Sequence, residues 1–229
     1  MSLHSFAWRA TLLLSAAVCP AAEPPPAAPV VYLQPLESSY PHSLGLVQQA
    51  VRELYGLEVQ VLEPMGLPAE AYYPPRDRYR AERILDVLRS RRPQTGALVL
   101  GITETDVSTT LRQKPDWGVI GLANPWLGTA VVSTHRLRRG VPRAAVRERA
   151  AKVAAHELGH MLGLPHCPQT DCLMQDAHGH VGTVDAGVQL CDACRARLAA
   201  RLTALPDAPS LPWAVPAHAE GRVELAELR

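Results

Sequence analysis

The first 140 residues alternate between short apolar runs and amphipathic stretches. The apolar or alternating runs predict strands at residues 30–36, 57–63, 96–106, 117–125 and 129–137. The run at 96–106 is apolar almost throughout, which favours a strand buried on both faces. The amphipathic stretches predict helices at residues 43–56 and 80–91. The prolines in AYYPPRDRY, residues 71–79, predict a loop between them.

One long helix dominates the second half of the chain. Pro142 near its start and Gly163 after its end predict a helix over residues 142–162. Residues 164–190 are rich in Gly, Pro, Asp and His and predict irregular structure, before a last helix at 191–205. Strands and helices are mixed in the first 140 residues, and the irregular, helix-poor region follows the long helix. The pattern therefore predicts a single mixed domain of the α/β (α+β) class over residues 30–205.

The composition excludes some classes of protein. The chain has 229 residues, of which 47% are hydrophobic, so it can bury one substantial core. It carries 23 basic and 22 acidic residues, a formal net charge of +1. This balance provides no basic surface for nucleic acid, and we expect no nucleic-acid partner.

Both ends of the chain are predicted to lie outside the folded domain. In residues 1–22, Arg9 precedes a short apolar run and then small residues, which is typical of a secretory signal peptide. The run is too short to span a bilayer, so we expect no transmembrane segment. Residues 23–29 predict a Pro/Ala-rich linker and residues 206–229 a C-terminal tail. The signal predicts an extracytoplasmic location, in the bacterial periplasm or secreted, with a lipoprotein anchored through Cys19 as the alternative.

The stretch HELGHMLGLPHC, residues 156–167, carries the candidate chemistry. His156 and His160 are four residues apart, so on a helix both can bind one metal ion. Glu157 can reach a water on that metal, as the general base does in zinc metalloproteases. Gly163 allows the chain to turn back and bring His166 as a third ligand. Three imidazoles leave the fourth zinc position open, as a catalytic site requires.

The longer pattern resembles that of a known peptidase family. H-E-x-x-H-x-x-G-x-x-H is the metzincin motif. In HCPQTDCLM, residues 166–174, one cysteine follows the third histidine directly and a second precedes the Leu-Met pair. With the later C-x-x-C at 191–194, this pattern resembles the archaemetzincins. The resemblance continues in YLQPL, AYYPPRDRY, LGITETDV, GLA and AVVSTHRL and covers residues 31 to about 200.

This resemblance implies a fold and two further site features. The fold is a metzincin-like zincin fold, with a mixed twisted sheet, an active-site helix and a small C-terminal subdomain. Met174 would form the Met-turn, a hydrophobic floor beneath the catalytic zinc. Gly121, Leu122 and Ala123 would form the edge strand that pairs with an extended substrate. The alternative is that this edge is merely structural.

Four cysteines, Cys167, Cys172, Cys191 and Cys194, cluster after the histidine motif. The resemblance implies that they hold a second, structural zinc, which gives two Zn²⁺ per chain. Their C-x4-C and C-x2-C spacings suit a tetrahedral four-thiolate site. The predicted signal peptide favours a different outcome, two disulfides formed in an oxidising compartment. Both interpretations stay open at this point.

Together these features predict a zinc metallopeptidase that hydrolyses peptide bonds through a zinc-activated water, with Glu157 as general base. Its partner would be a peptide or protein substrate, and we expect a monomer. The alternative is a zinc-stabilised peptide-binding module with little or no turnover. Nothing in the sequence distinguishes trimming of peptide ends from internal cleavage.

Overall fold

The structure is a computed structural model that describes residues 29–37, 41–94, 96–178 and 180–203. The predicted signal peptide (1–22), nearly all of the predicted linker (23–29) and the predicted C-terminal tail (206–229) lie outside the described residues. Those three assignments therefore stay predictions.

The described residues form nine strands and five α-helices. The strands are β1 (Val31–Pro35), β2 (Val59–Val61), β3 (Tyr72–Tyr73), β4 (Arg78–Arg80), β5 (Leu98–Thr103), β6 (Val107–Leu111), β7 (Lys114–Val119), β8 (Gly121–Asn124) and β9 (Thr129–Ser133). The helices are α1 (Leu44–Tyr55), α2 (Ala81–Ser90), α3 (Arg143–Met161), α4 (Val181–Ala186) and α5 (Asp192–Thr203). Short 3₁₀ turns occur at Ala69–Ala71, Pro74–Arg76 and His135–Arg138.

The main sheet has five strands in the order β2-β1-β5-β9-β8. β1, β2, β5 and β9 are parallel, whereas β8 pairs antiparallel with β9 and forms the edge. Every residue of β5 is buried, which confirms the strand covered on both faces that its apolar run predicted. The mixed sheet that the family resemblance implied is thus confirmed.

Side chains alternate between two cores on opposite faces of this sheet. On one face, Leu98, Leu100 and Ile102 of β5 pack with residues of α1 and α3. On the other face, Val99 packs with the apolar residues of α2. Successive side chains of β5 therefore point to opposite faces of the sheet, as strand geometry requires. The arrangement has a helix layer on each side of the sheet.

A second, four-stranded sheet in the order β3-β4-β6-β7 corrects the sequence interpretation. Its strand β6 has no counterpart among the predicted strands. The region 71–79, predicted to be a loop, contributes β3 and most of β4, and the single strand predicted at 117–125 is divided into parts of β7 and β8. The polar β4 strand is held in place partly by charge: Arg78 Nε lies 3.2 Å from Asp106 Oδ2. The pattern of apolar residues does not indicate short strands with polar residues, which explains why the sequence analysis did not predict them.

The long helix is close to its prediction. α3 begins after Pro142 and ends at Met161, and Gly163 adopts a φ of 84° where the chain leaves the helix. In its second half almost every residue is buried. The region 164–190 is mainly irregular as predicted, except for the short helix α4. None of the helices in the described part of the chain has the length and apolar character that a membrane crossing requires.

Candidate active site and metal centre

Helix α3 and the turn after it bring three imidazoles together. His156 and His160 lie on one face of α3, with their Nε2 atoms 3.0 Å apart. The Gly163 turn is closed by hydrogen bonds from Gly163 N to His160 O and from Leu164 N to Gly159 O, both 2.9 Å. The chain then runs back, so that one ring nitrogen of His166 joins the other two within 4.8 Å. The predicted three-histidine cluster is therefore assembled.

Backbone carbonyls orient two of these rings. His156 Nδ1 donates to Leu173 O at 2.7 Å, and His160 Nδ1 donates to Leu164 O at 2.8 Å. Each Nδ1 thus carries the proton, and each Nε2 presents its lone pair to the centre of the cluster. Burial, helped by the neighbouring histidines, lowers the pKa of His160 to about 3, so its ring is neutral. Converging neutral lone pairs repel one another but suit a divalent cation with nitrogen ligands.

Glu157 is the buried carboxyl beside these ligands. Its side chain is 7% exposed, and burial raises its pKa to about 8. It packs against Gly121 of the edge strand so closely that a Cβ at that position would lie 2.8 Å from Glu157 Cδ. The carboxyl therefore lies between α3 and β8, and Gly121 is the residue type that leaves room for it.

Met174 packs against the same helix from the loop that follows. It is fully buried, and a Cβ on Gly159 would lie 3.0 Å from both Met174 Cε and the Tyr55 hydroxyl oxygen. Cys167 N donates to Met174 O at 2.8 Å, which ties this loop to the segment carrying His166. Met174 therefore supports the α3 turn between the first two histidines.

The four cysteines form a second cluster. Their Sγ atoms lie within 4.8 Å of one another, with Cys167–Cys191 and Cys172–Cys194 each 3.8 Å apart. All four are free thiols in the structure. A disulfide needs sulfur atoms about 2 Å apart. Four thiolates around a tetrahedral zinc, with bonds of about 2.3 Å, place sulfur atoms about 3.8 Å apart.

The edge strand lies where an extended peptide could reach Glu157. Gly121, Leu122 and Ala123 are half-buried in β8, whose one partner in the described sheet is β9. The other edge of β8 is therefore open among the described strands. An unpaired edge offers backbone donors and acceptors to an added strand.

Two contributing residues were missed by the sequence interpretation. Asp176 Oδ2 lies 3.5 Å from His166 Nδ1 and 3.2 Å from His178 Nδ1. Tyr55 donates from its hydroxyl to Ala155 O at 2.6 Å and so fixes α1 against the active-site helix. The sequence held a weak signal for Asp176, an acid two residues after Met174. It held none for Tyr55, which is 100 positions from its partner.

Comparisons with known proteins identify the family of the chain. The model of peptidase family M54 matches residues 67–200. The archaemetzincin of Pyrococcus furiosus is 34% identical over 156 residues, which cover 65% of this chain and 79% of that protein. The crystal structure of archaemetzincin from Methanopyrus kandleri has a TM-score of 0.66 and 31% identity, over 77% of this chain and 96% of that one. A structure described as a zinc-dependent peptidase, from Methanocorpusculum labreanum, has a TM-score of 0.63 and 26% identity, over 73% and 99%.

The fold and the three-histidine site with its glutamate define a metallopeptidase. More particularly, the chain belongs to peptidase family M54, alongside the archaemetzincins. The family resemblance read from the sequence is confirmed.

The burial of Glu157 predicts how the metal-free protein responds to pH. Folding raises the pKa of this carboxyl from 4.5 to about 8. Below about pH 4.5 the group is protonated in both states, so it does not lower the free energy of unfolding. As pH rises from about 4.5 through about 8, the unfolded state loses this proton more readily than the folded state, so the free energy of unfolding falls. Glu157→Gln removes this ionisable group. We expect chelator-treated wild type and Glu157→Gln to be similarly stable at pH 4.5, with the variant progressively more stable toward pH 8.5.

Urea unfolding at a series of pH values measures the difference in free energy of unfolding. Glu148→Gln, an exposed change on the same helix, should show no such pH-dependent gain. A constant difference between Glu157→Gln and wild type over this range would mean that Glu157 is not buried as described.

Proposed function

We propose that His156, His160 and His166 hold a catalytic zinc and that Glu157 is the general base for hydrolysis of peptide bonds. One observation carries this proposal. Three imidazole nitrogens converge beside a buried carboxyl that faces an open sheet edge. The similar protein from Methanocorpusculum labreanum is described as a zinc-dependent peptidase, which supports zinc as the metal.

In this proposal, each residue of the site has a separate role in hydrolysis. A bound zinc supplies Lewis acidity, which polarises a carbonyl, acidifies water and favours the ionised form of a nearby carboxyl. Glu157 accepts the proton of the attacking water and delivers it to the leaving amine. β8 positions the substrate by pairing with its backbone, and Gly121 lets the scissile bond approach Glu157. Leu122 and Ala123 continue that pairing.

The burial of Glu157 also argues against a binding module without turnover. Within the described residues, its carboxyl forms no ion pair or side-chain hydrogen bond, and burial alone accounts for the rise in its pKa. A buried carboxyl without such partners lowers the stability of the fold at any pH at which it is ionised. A module that only bound peptides would gain nothing from it, whereas hydrolysis requires a base at this position.

The four cysteines are proposed to hold a second, structural zinc, for a total of two per chain. The sulfur spacing of 3.8 Å supports zinc over disulfides. The cluster joins the segment after His166 to the start of α5, which contributes Cys194. Cys167 is adjacent in sequence to a catalytic ligand, so this second site would also fix the position of His166.

Extracytoplasmic location remains part of the proposal, in the periplasm or secreted. The N-terminal charge and apolar pattern of residues 1–22 supports it. A zinc site closed by four ligands is compatible with that environment, because coordinated thiolates are less available for oxidation.

Glu157→Gln should retain zinc but lose peptidase activity, because it keeps the shape of the side chain and removes the base. We expect turnover to fall at least about 10²-fold. His160→Ala should lose both catalytic zinc and activity. Cleavage of a mixed peptide library, read by mass spectrometry, measures turnover and also separates end-trimming from internal cuts. Glu148→Gln is the matched control and should cut as wild type does; full activity in Glu157→Gln would show that the base is another group.

Asp176→Asn should weaken zinc binding at the histidine site. The Asp176 carboxylate lies beside His166 Nδ1, and a carboxylate at that position orients the ring and raises its basicity as a ligand. We expect zinc affinity to fall about tenfold, measured by competition with a chromophoric chelator. Asp86→Asn, an exposed change on α2, should leave affinity unchanged. Equal zinc affinities for Asp176→Asn and wild type would remove Asp176 from the metal site.

Thiol labelling separates the second zinc from disulfides. We expect metal analysis to give two zinc ions per chain, and a thiol-reactive probe to label all four clustered cysteines once chelator has removed the metal, without reductant. A sample labelled before chelation should react poorly, because coordination protects the thiolates. If no cysteine of the cluster reacts until reductant is added, the disulfide alternative is correct.

A further inference from the structure

A cavity lies at the carboxyl ends of two parallel strands, away from the cysteine cluster and from the histidine cluster. Glu104 directly follows β5 and Thr134 directly follows β9, and both line this cavity of about 340 Å³. His42 and Ser43, directly before α1, and Arg143, Val146 and Arg147 of α3 also line it. Ligands of open α/β sheets commonly bind outside the carboxyl ends of the strands. None of the proposed zinc ligands lines it.

The lining of this cavity is strongly basic. His42, Arg138, Arg143 and Arg147 face a single acidic residue, Glu104. Glu104 is already engaged, because Arg138 donates to its Oε2 at 2.6 Å. Arg143 and Arg147 form no ion pair with any residue in the described part of the chain. The cavity therefore retains uncompensated positive charge.

Two helix N-termini add to this charge. α1 and α3 both begin at the cavity, and neither has a side-chain cap or an acidic residue in its first turn. A helix N-terminus carries partial positive charge and unpaired N–H groups. Arg143 and Arg147 are four residues apart at the start of α3, where they repel each other and the helix dipole. A bound anion would relieve both repulsions.

Ser43 provides an independent sign of a ligand. It is 3% exposed and lines the cavity, yet its Oγ has no hydrogen-bond partner among the described residues. Ser43 stands at the N-cap of α1, but its φ of −79° and ψ of −13° are helical and its side chain does not cap the helix. A buried hydroxyl without a partner is unfavourable, and an oxyanion in the cavity would accept a hydrogen bond from it.

We propose that this cavity binds a phosphate-class oxyanion, free or as the phosphoryl group of a small molecule. Tetrahedral oxyanions accept hydrogen bonds from hydroxyls, from helix N-termini and from arginine forks, the three donor types assembled here. The volume is at the lower end of the range for small-molecule pockets, which leaves space for a small organic group as well as the anion. Arg147 is nine residues from His156 along α3, about 14 Å, so the site does not depend on the peptidase assignment.

Titration calorimetry on the zinc-loaded chain tests the proposal, with inorganic phosphate and glycerol 2-phosphate as ligands and chloride as the reference at matched ionic strength. We expect saturable binding of one phosphate per chain at this cavity. The double variant Arg143→Gln/Arg147→Gln should weaken it at least about tenfold, and Ser43→Ala about threefold or more. Arg89→Gln/Arg91→Gln, which removes equal charge from exposed positions on α2 and just beyond it, should bind within about twofold of wild type.

Tighter binding of glycerol 2-phosphate than of phosphate assigns the ligand as a phosphorylated small molecule, and equal or weaker binding assigns free phosphate. Binding that survives the double substitution but disappears in His160→Ala reports phosphate on the catalytic metal and overturns the proposal. Heats no greater than those of chloride overturn it as well. The double variant should keep its zinc and its peptidase activity, so this test is separate from that of the proposed function.

Discussion

The C-terminal half of helix α3 must be buried on nearly every side and still present a carboxyl and two imidazoles at one point. Small residues make this possible. Ala150, Ala151, Ala154 and Ala155 let α1 and the sheet approach the helix closely. Gly159 lacks the Cβ that would meet Met174 and Tyr55, and Gly121 on β8 lacks the one that would meet Glu157. The positions of Glu157 and of the turn between His156 and His160 depend on this close packing.

The same burial determines the protonation of the site. It lowers the pKa of His160 to about 3 and raises that of Glu157 to about 8, in both cases because the charged form loses its hydration. Neutral imidazoles are what a metal requires of its ligands. A protonated carboxyl is of no use as a base, so the activity proposed here requires a cation beside Glu157 to restore its ionised form. The packing that positions the residues thus makes the chemistry dependent on the metal.

Sequence patterns predicted the parts of this site that are local in the chain. His156 and His160 share a face because a helix repeats every 3.6 residues, and Gly163 marks the turn because its φ of 84° suits glycine. The strands β3 and β4 were missed because they are two and three residues long, and ion pairs such as Arg78–Asp106 help to hold the second. Tyr55 and the basic cavity at Ser43 could not be predicted, since each depends on segments that meet only in the folded chain.

Anomalous diffraction from crystals of the zinc-loaded protein, recorded at the zinc absorption edge, tests the central claim most directly. We predict two peaks per chain, one among the ring nitrogens of His156, His160 and His166 and beside Glu157, the other among the four cysteine sulfurs. A map with no peak at the three histidines would contradict the catalytic centre derived from helix α3. A peak at the histidines alone, with paired sulfurs about 2 Å apart in the cysteine cluster, would retain the peptidase and replace the second zinc with disulfides.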